Sequence, residues 1–187
     1  MISQDAKKSF QSLLSHSFVD SLTTEKANEW EVSSVNDICE IAEQELFMLT
    51  ISSYRFRIFV LFYFTKTEAL EEYVSGALHL PRQELENERI YDFLGELGNK
   101  FCGAIKRELG HHLPHMGMST PNRLNIESIP YISNINFDFK SHIKAESKNN
   151  IVFHSSLCVM MDGELDFRMQ DGWNKKEEAE AGALELF

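Results

Sequence analysis

Residues 83–110, QELENERIYDFLGELGNKFCGAIKRELG, decide the fold. Within them Ile90, Phe93, Leu94, Leu97, Phe101, Ala104, Ile105 and Leu109 recur at three- and four-residue steps. At about 100° per residue those positions form one apolar stripe of a helix. The pattern predicts a long amphipathic helix from about Gln83 to Leu109. Pro81 stops the element before it, and Gly110 is expected to end it as a left-handed C-cap. A stripe of that length has to be covered by another layer of structure.

The flanking sequence supplies that layer. Residues 54–64, YRFRIFVLFYF, alternate with Tyr54, Phe56, Ile58, Val60, Phe62 and Phe64 on one face. Phe59, Leu61 and Tyr63 make the second half apolar on both faces, as a central strand requires. Weaker strand patterns cover Val32 to Ile38 and Glu45 to Ile51 upstream. Downstream they cover Asn122 to Ser128, Ile135 to Ala145 and Ile151 to Met161, and a short run from Glu164 to Met169 is expected to extend the sheet. Asn149-Asn150 and Asp162-Gly163 are turn signals. Two further helices are predicted, one from Asp5 to Leu22 with Ala6, Phe10, Leu13, Leu14, Phe18 and Leu22 on one face, and a shorter one from Thr65 to Leu80. The order is helix, three strands, two helices, three strands. The expected fold class is therefore α+β: a two-layer α/β domain of two pseudo-repeats, with a mostly antiparallel sheet covered by long helices on one face. Residues 1–170 form the single domain, and 171–187 an acidic C-terminal tail with Lys175-Lys176 among its glutamates.

Composition bounds the function. The chain has 187 residues, enough for one real core, and 43% of them are hydrophobic. A net charge of −11 argues against nucleic acid and against an anionic membrane surface. The most apolar run, Ile58 to Phe64, is too short to span a bilayer, so no membrane insertion is expected. The first ten residues contain Asp5, Lys7 and Lys8 without the apolar run of a signal peptide. Cys39, Cys102 and Cys158 are widely spaced, which suits reduced thiols and a cytoplasmic location.

The long helix carries polar residues that the core does not need. Glu96, Asn99 and Gly103 fall opposite the apolar stripe, with Asp92 beside them. Glu96 and Asn99 are three apart and so are neighbours on the helix surface. Gly95, Gly98 and Gly103 lie inside the helix, each costing about 0.8–1 kcal/mol relative to alanine. Gly95 and Gly98 suit packing within the domain. Gly103 shares the outer face, where a partner's close approach explains it better. Spacing alone is weak evidence: Glu25 and Asn28 repeat the Glu-x-x-Asn spacing, but the position four beyond Asn28 is Val32 rather than glycine.

The segment 92–103, DFLGELGNKFCG, resembles the E-x-x-N-x-x-x-G signature of the CheC/CheX family of chemotaxis phosphatases. Residues 118–121, MSTP, resemble the stretch that leads into the next strand in that family. The element order is similar from about Asp5 to Met169. The segment Gln11 to Phe18 of the first helix lacks a matching Glu and Asn pair, so the likeness is to single-motif CheX-like members.

That resemblance implies a phosphatase of phosphorylated CheY-like response regulators, hydrolysing the receiver domain's aspartyl phosphate. It implies that Asn99 positions the water and Glu96 docks against the regulator's active-site lysine, with Gly103 and Asp92 at the partner surface. It implies no cofactor of the chain's own, Mg2+ being supplied by the response regulator, and it is compatible with a homodimer. An amide suits water positioning because it donates and accepts without repelling phosphoryl oxygens. The gain is orientation rather than acid–base chemistry. The alternative is a non-catalytic adaptor that binds a receiver domain or a flagellar-switch component.

Other constellations are weaker. His111, His112 and His115 form a HHxxH cluster, but Pro114 and Gly117 place it in a loop rather than on one helical face, so no metal site is expected. Cys102 lies toward the buried side of the long helix and reads as core rather than nucleophile.

Overall fold

The structure, a computed structural model, describes residues 1–23, 30–113 and 115–169. The Glu25/Asn28 pair and the acidic segment 171–187 lie outside the described residues. The elements in chain order are α1 (Gln4–Leu22), β1 (Trp30–Val35), β2 (Glu45–Ser52), β3 (Phe56–Phe64), α2 (Glu68–Leu78), α3 (Asn87–Gly110), β4 (Gly117–Met118), β5 (Asn122–Asn125), α4 (Ile129–Ser133), β6 (Phe139–Ser147) and β7 (Val152–Met161).

The seven strands form one sheet in the order β1-β6-β7-β3-β2-β4, with β5 also pairing β2, and every pairing is antiparallel. β3 and β7 meet at the centre. Outside them, β1 borders β6 and β7 of the second half, while β5 borders β2 and β3 of the first. The pseudo-repeats are thus interlocked: each half lends its first strand to the other half's pair. Neither half keeps its sheet alone, so one hydrophobic core serves both.

The alternation in β3 sorts its residues onto two faces as the sequence predicts. Phe56, Ile58, Val60, Phe62 and Phe64 join Phe10, Phe18, Leu94, Phe101 and Ile105 in the main core under α1 and α3. Phe62 is 1% exposed and its ring meets those of Phe18, Phe64 and Phe153 at 5.1–5.9 Å. Leu61 and Tyr63 point to the other face, where a smaller core gathers Ile38, Ile41, Leu46, Ile129 and Ile132. The long helices cover one face; short turns and α4 cover part of the other.

Several expected boundaries move, for local reasons. The first strand ends at Val35 rather than Ile38, because Asp37 caps a 3-10 turn (Ile38–Glu40) by accepting from the Cys39 N–H at 2.8 Å. α3 starts at Asn87 rather than Gln83, since Arg82–Glu84 form their own 3-10 turn after Pro81. Gly110 is the last residue of α3 and not a left-handed cap; His111 follows it with φ −69°. The strand expected from Asn122 to Ser128 stops at Asn125. β6 starts at Phe139 rather than Ile135, after the helix α4 that the periodicity did not show. The run Glu164 to Met169 does not extend the sheet. It makes a parallel bridge from Leu165 to Ile2, buries Leu165, Phe167 and Met169 in the main core, and is tied to α1 by the Met169 N–H donating to Ser9 Oγ at 3.0 Å. The Asn149-Asn150 and Asp162-Gly163 turns form, with left-handed φ at Asn150 (58°) and Gly163 (87°). Among the described residues, no helix is long and apolar enough to cross a membrane.

Candidate functional site on the outer face of α3

α3 is held against β2 and α1 along its apolar stripe. Ile90, Leu94, Leu97, Phe101, Ile105 and Leu109 are buried, while Phe93 and Ala104 are half-buried. Gly98 lets the helix approach the sheet: a Cβ there would stand 3.4 Å from Leu49 Cδ1 and 4.0 Å from Phe62 Cδ1. A Cβ at Gly95 would lie 3.9 Å from Phe47 Cζ. Both glycines therefore serve internal packing.

Two polar braces fix the position of the helix. Near its start, the Tyr91 hydroxyl donates to Glu45 Oε1 of β2 at 3.2 Å. Arg123 of β5 donates to the same oxygen at 3.1 Å and lies over the Tyr91 ring at 3.4 Å. Further along, Lys100 Nζ donates to the Asp20 carbonyl of α1 at 3.4 Å. Sequence reasoning missed this Tyr91–Glu45–Arg123 group. The only signal was Tyr91 at the margin of the stripe, four residues before Gly95.

With the buried side occupied, the outer face carries the remaining residues. Asp92 and Glu96 are exposed, and Asn99 and Gly103 are half-exposed. Asn99 Nδ2 lies 3.4 Å from Glu96 Oε1, a long hydrogen bond in which the amide donates. That leaves the amide oxygen of Asn99 and the second carboxylate oxygen of Glu96 without a protein partner among the described residues. A Cβ at Gly103 would meet no heavy atom within 4 Å. Unlike Gly98, Gly103 has no neighbour among the described residues that excludes a side chain. The four residues predicted from spacing are therefore brought together on one accessible surface.

The other candidates are dispersed. Cys102 is fully buried, and burial pushes its thiol up to about 12, which leaves it protonated and unsuited to nucleophilic attack at neutral pH. His112 packs its ring against Phe167 at 5.4 Å, and His115 adopts a left-handed φ of 62°. Among the described residues, no three His, Cys, Asp or Glu side chains gather as they would around a metal ion. Met118 pairs with Ile51, the Ser119 N–H donates to the Thr50 carbonyl and the Thr50 N–H donates to Ser119 Oγ, so residues 118–121 lead the chain from α3 along β2 into β5.

The fold is similar to that of solved CheC- and CheX-like proteins. Comparison with protein-family models and with curated protein sequences gives no match. Solved structures do match. A chemotactic CheC-like protein from Shewanella oneidensis MR-1 superposes with a TM-score of 0.62 at 15% identity, covering 81% of this chain and 98% of that one. CheX of Borrelia burgdorferi, in a CheX–CheY–BeF3–Mg2+ complex, gives 0.58 at 13% identity, covering 81% and 96%. The FliM middle domain from H. pylori shares the architecture at 0.53 and 7% identity, covering 83% and 92%. This chain has the CheC/CheX-like fold. One fold hosts more than one role, so activity has to be argued from the site.

Proposed function

We propose that this chain is a phosphatase of phosphorylated CheY-like response regulators and that the outer face of α3 is its docking and catalytic surface. The observation that carries the reading is the Glu96–Asn99 pair on an accessible face, four residues before a glycine that nothing inside the domain requires. The architectural likeness to a CheX crystallised with CheY supports the choice of partner.

In this reading Asn99 enters the receiver's phosphorylation site and holds a water in line with phosphorus. The amide accepts from the water through its oxygen and is itself steadied by Glu96. The water oxygen bonds to phosphorus, the bond from phosphorus to the aspartyl oxygen breaks, and inorganic phosphate leaves with a regenerated carboxylate. Glu96 pairs with the receiver's lysine. Mg2+ belongs to the regulator, so this chain needs no cofactor of its own. Catalysis comes from positioning, which is what a short amide on a rigid helix can supply.

The test is single-turnover loss of phosphate from phosphorylated receivers of the same genome. Asn99→Ala should remove the acceleration by at least about a hundredfold while leaving the thermal midpoint unchanged, because the side chain faces outward. Glu96→Ala should mainly raise KM. Receiver binding without accelerated phosphate loss would establish the adaptor reading instead, and absence of both would refute each.

A further inference from the structure

A second site lies away from α3, at a notch in the opposite part of the sheet. β1 pairs β6 only as far as Val35 opposite His142. There the chain turns aside through Asn36 and Asp37, and among the described residues no strand borders β6 from Phe139 to Ser141 on that side. The gap becomes a polar cleft of about 500 Å3, lined by Gln11 and Ser15 of α1, Ser34 of β1, Asp37, and Lys140 and His142 of β6.

Three features make this a built site. First, Asp37 and Lys140 line the same cleft with opposite charges, yet they form no ion pair with one another. Asp37 is held back by accepting from the Cys39 N–H, and Lys140 leans toward the Phe137 ring at 5.9 Å. Second, His142 is only 6% exposed and lines the cleft. Its Nδ1 lies 2.6 Å from Ser156 Oγ, which in turn lies 3.2 Å from the Tyr63 hydroxyl. That contact engages Nδ1 and leaves Nε2 as the ring nitrogen without a hydrogen-bond partner among the described residues. Burial holds the imidazole below its ordinary value, which favours the neutral ring. Third, hydroxyl and amide groups line the cleft beside the apolar Val35, Ile38 and Ile143. None of these groups is used by the α3 surface.

We propose that this notch binds a small zwitterion of the free amino-acid class. The ligand's ammonium meets the Asp37 carboxylate beside His142, and its carboxylate meets the Lys140 ammonium. The ligand completes a charge pair that the protein leaves open. A molecule with only one charge would satisfy one wall and leave the other unpaired.

The test is a titration of the full chain with free glycine and L-serine, followed by amide and imidazole NMR shifts. Acetate and methylammonium chloride serve as single-charge probes. Expected are saturating shifts confined to residues 34–37 and 140–143, with Kd of about 1 mM or below. Asp37→Asn keeps the acceptor for Cys39, and Lys140→Gln alters an exposed side chain; each should weaken binding at least about tenfold. Three outcomes would each overturn the proposal: no saturation by either amino acid, equal shifts from the single-charge probes, or unchanged affinity in both variants.

Discussion

Replacing Gly103 with alanine should move stability and activity in opposite directions. Gly103 has ordinary helical backbone, and a Cβ there would meet no heavy atom within 4 Å. The folded domain therefore has no steric objection to the methyl group. Helix propensity favours alanine by about 0.8–1 kcal/mol, which in a chain of this size raises the thermal midpoint by roughly 2–4 °C. On the docking surface the same methyl intrudes where a partner's backbone is to approach. An overpacked contact costs about 1–3 kcal/mol, which corresponds to roughly a five- to hundredfold rise in KM for the phosphorylated receiver. The assay pairs a thermal or urea melt with initial rates of phosphate release over a range of receiver concentrations. A useful contrast is Gly98→Val, whose branched side chain would press on Leu49 and Phe62. That variant should lose about 1–3 kcal/mol of stability. If Gly103→Ala destabilises the fold, or stabilises it with KM unchanged, the argument that this glycine exists for a partner is refuted.

Two further outcomes bear on the fold itself. Phe62→Ala removes a ring that touches both layers, and should lower unfolding free energy by about 3–5 kcal/mol in a denaturant titration. A loss under 1 kcal/mol would mean that Phe62 does not join the α1 layer to the sheet. The second concerns pH. Burial depresses the His142 imidazole, Lys140 acts in the same direction, and Asp37 opposes both less strongly than burial acts. The unfolded chain therefore takes up this proton first. Stability from keeping His142 neutral is fully present above the ordinary value of 6.5 and declines as pH falls through and below it. Urea midpoints between pH 7.5 and 5 should fall more steeply for the native chain than for His142→Gln; parallel slopes would contradict the assignment.

The sequence was most informative where structure is set by local periodicity. Alternation in residues 56–64 placed Phe62 and Tyr63 on opposite faces, and the two-sided apolar second half identified β3 as central. The helical stripe fixed the buried side of α3, and with it the outward direction of Glu96 and Asn99. Boundaries were less legible where a single side chain redirects the backbone. Asp37 ends the first strand by capping a turn, and no apolar pattern announces that hydrogen bond. The segment Glu164 to Met169 has the alternation of a strand, but its apolar residues are taken up by the core beside α1 rather than by a sheet neighbour.

By itself, then, the chain determined its long helices and central strands, its two-layer α+β class and the spacing that gathers Asp92, Glu96, Asn99 and Gly103 on one helix face. These depend on the direction of each side chain relative to its own backbone axis, which neighbouring residues specify. Only the tertiary structure decided how the halves interlock, and that β1 leaves a polar notch beside Lys140 and His142. It alone separated Gly98, where a Cβ would press on Leu49, from Gly103, where a Cβ would meet no described residue within 4 Å. Those distinctions rest on contacts between segments dozens of residues apart, and such contacts exist only once the helices have settled on the sheet.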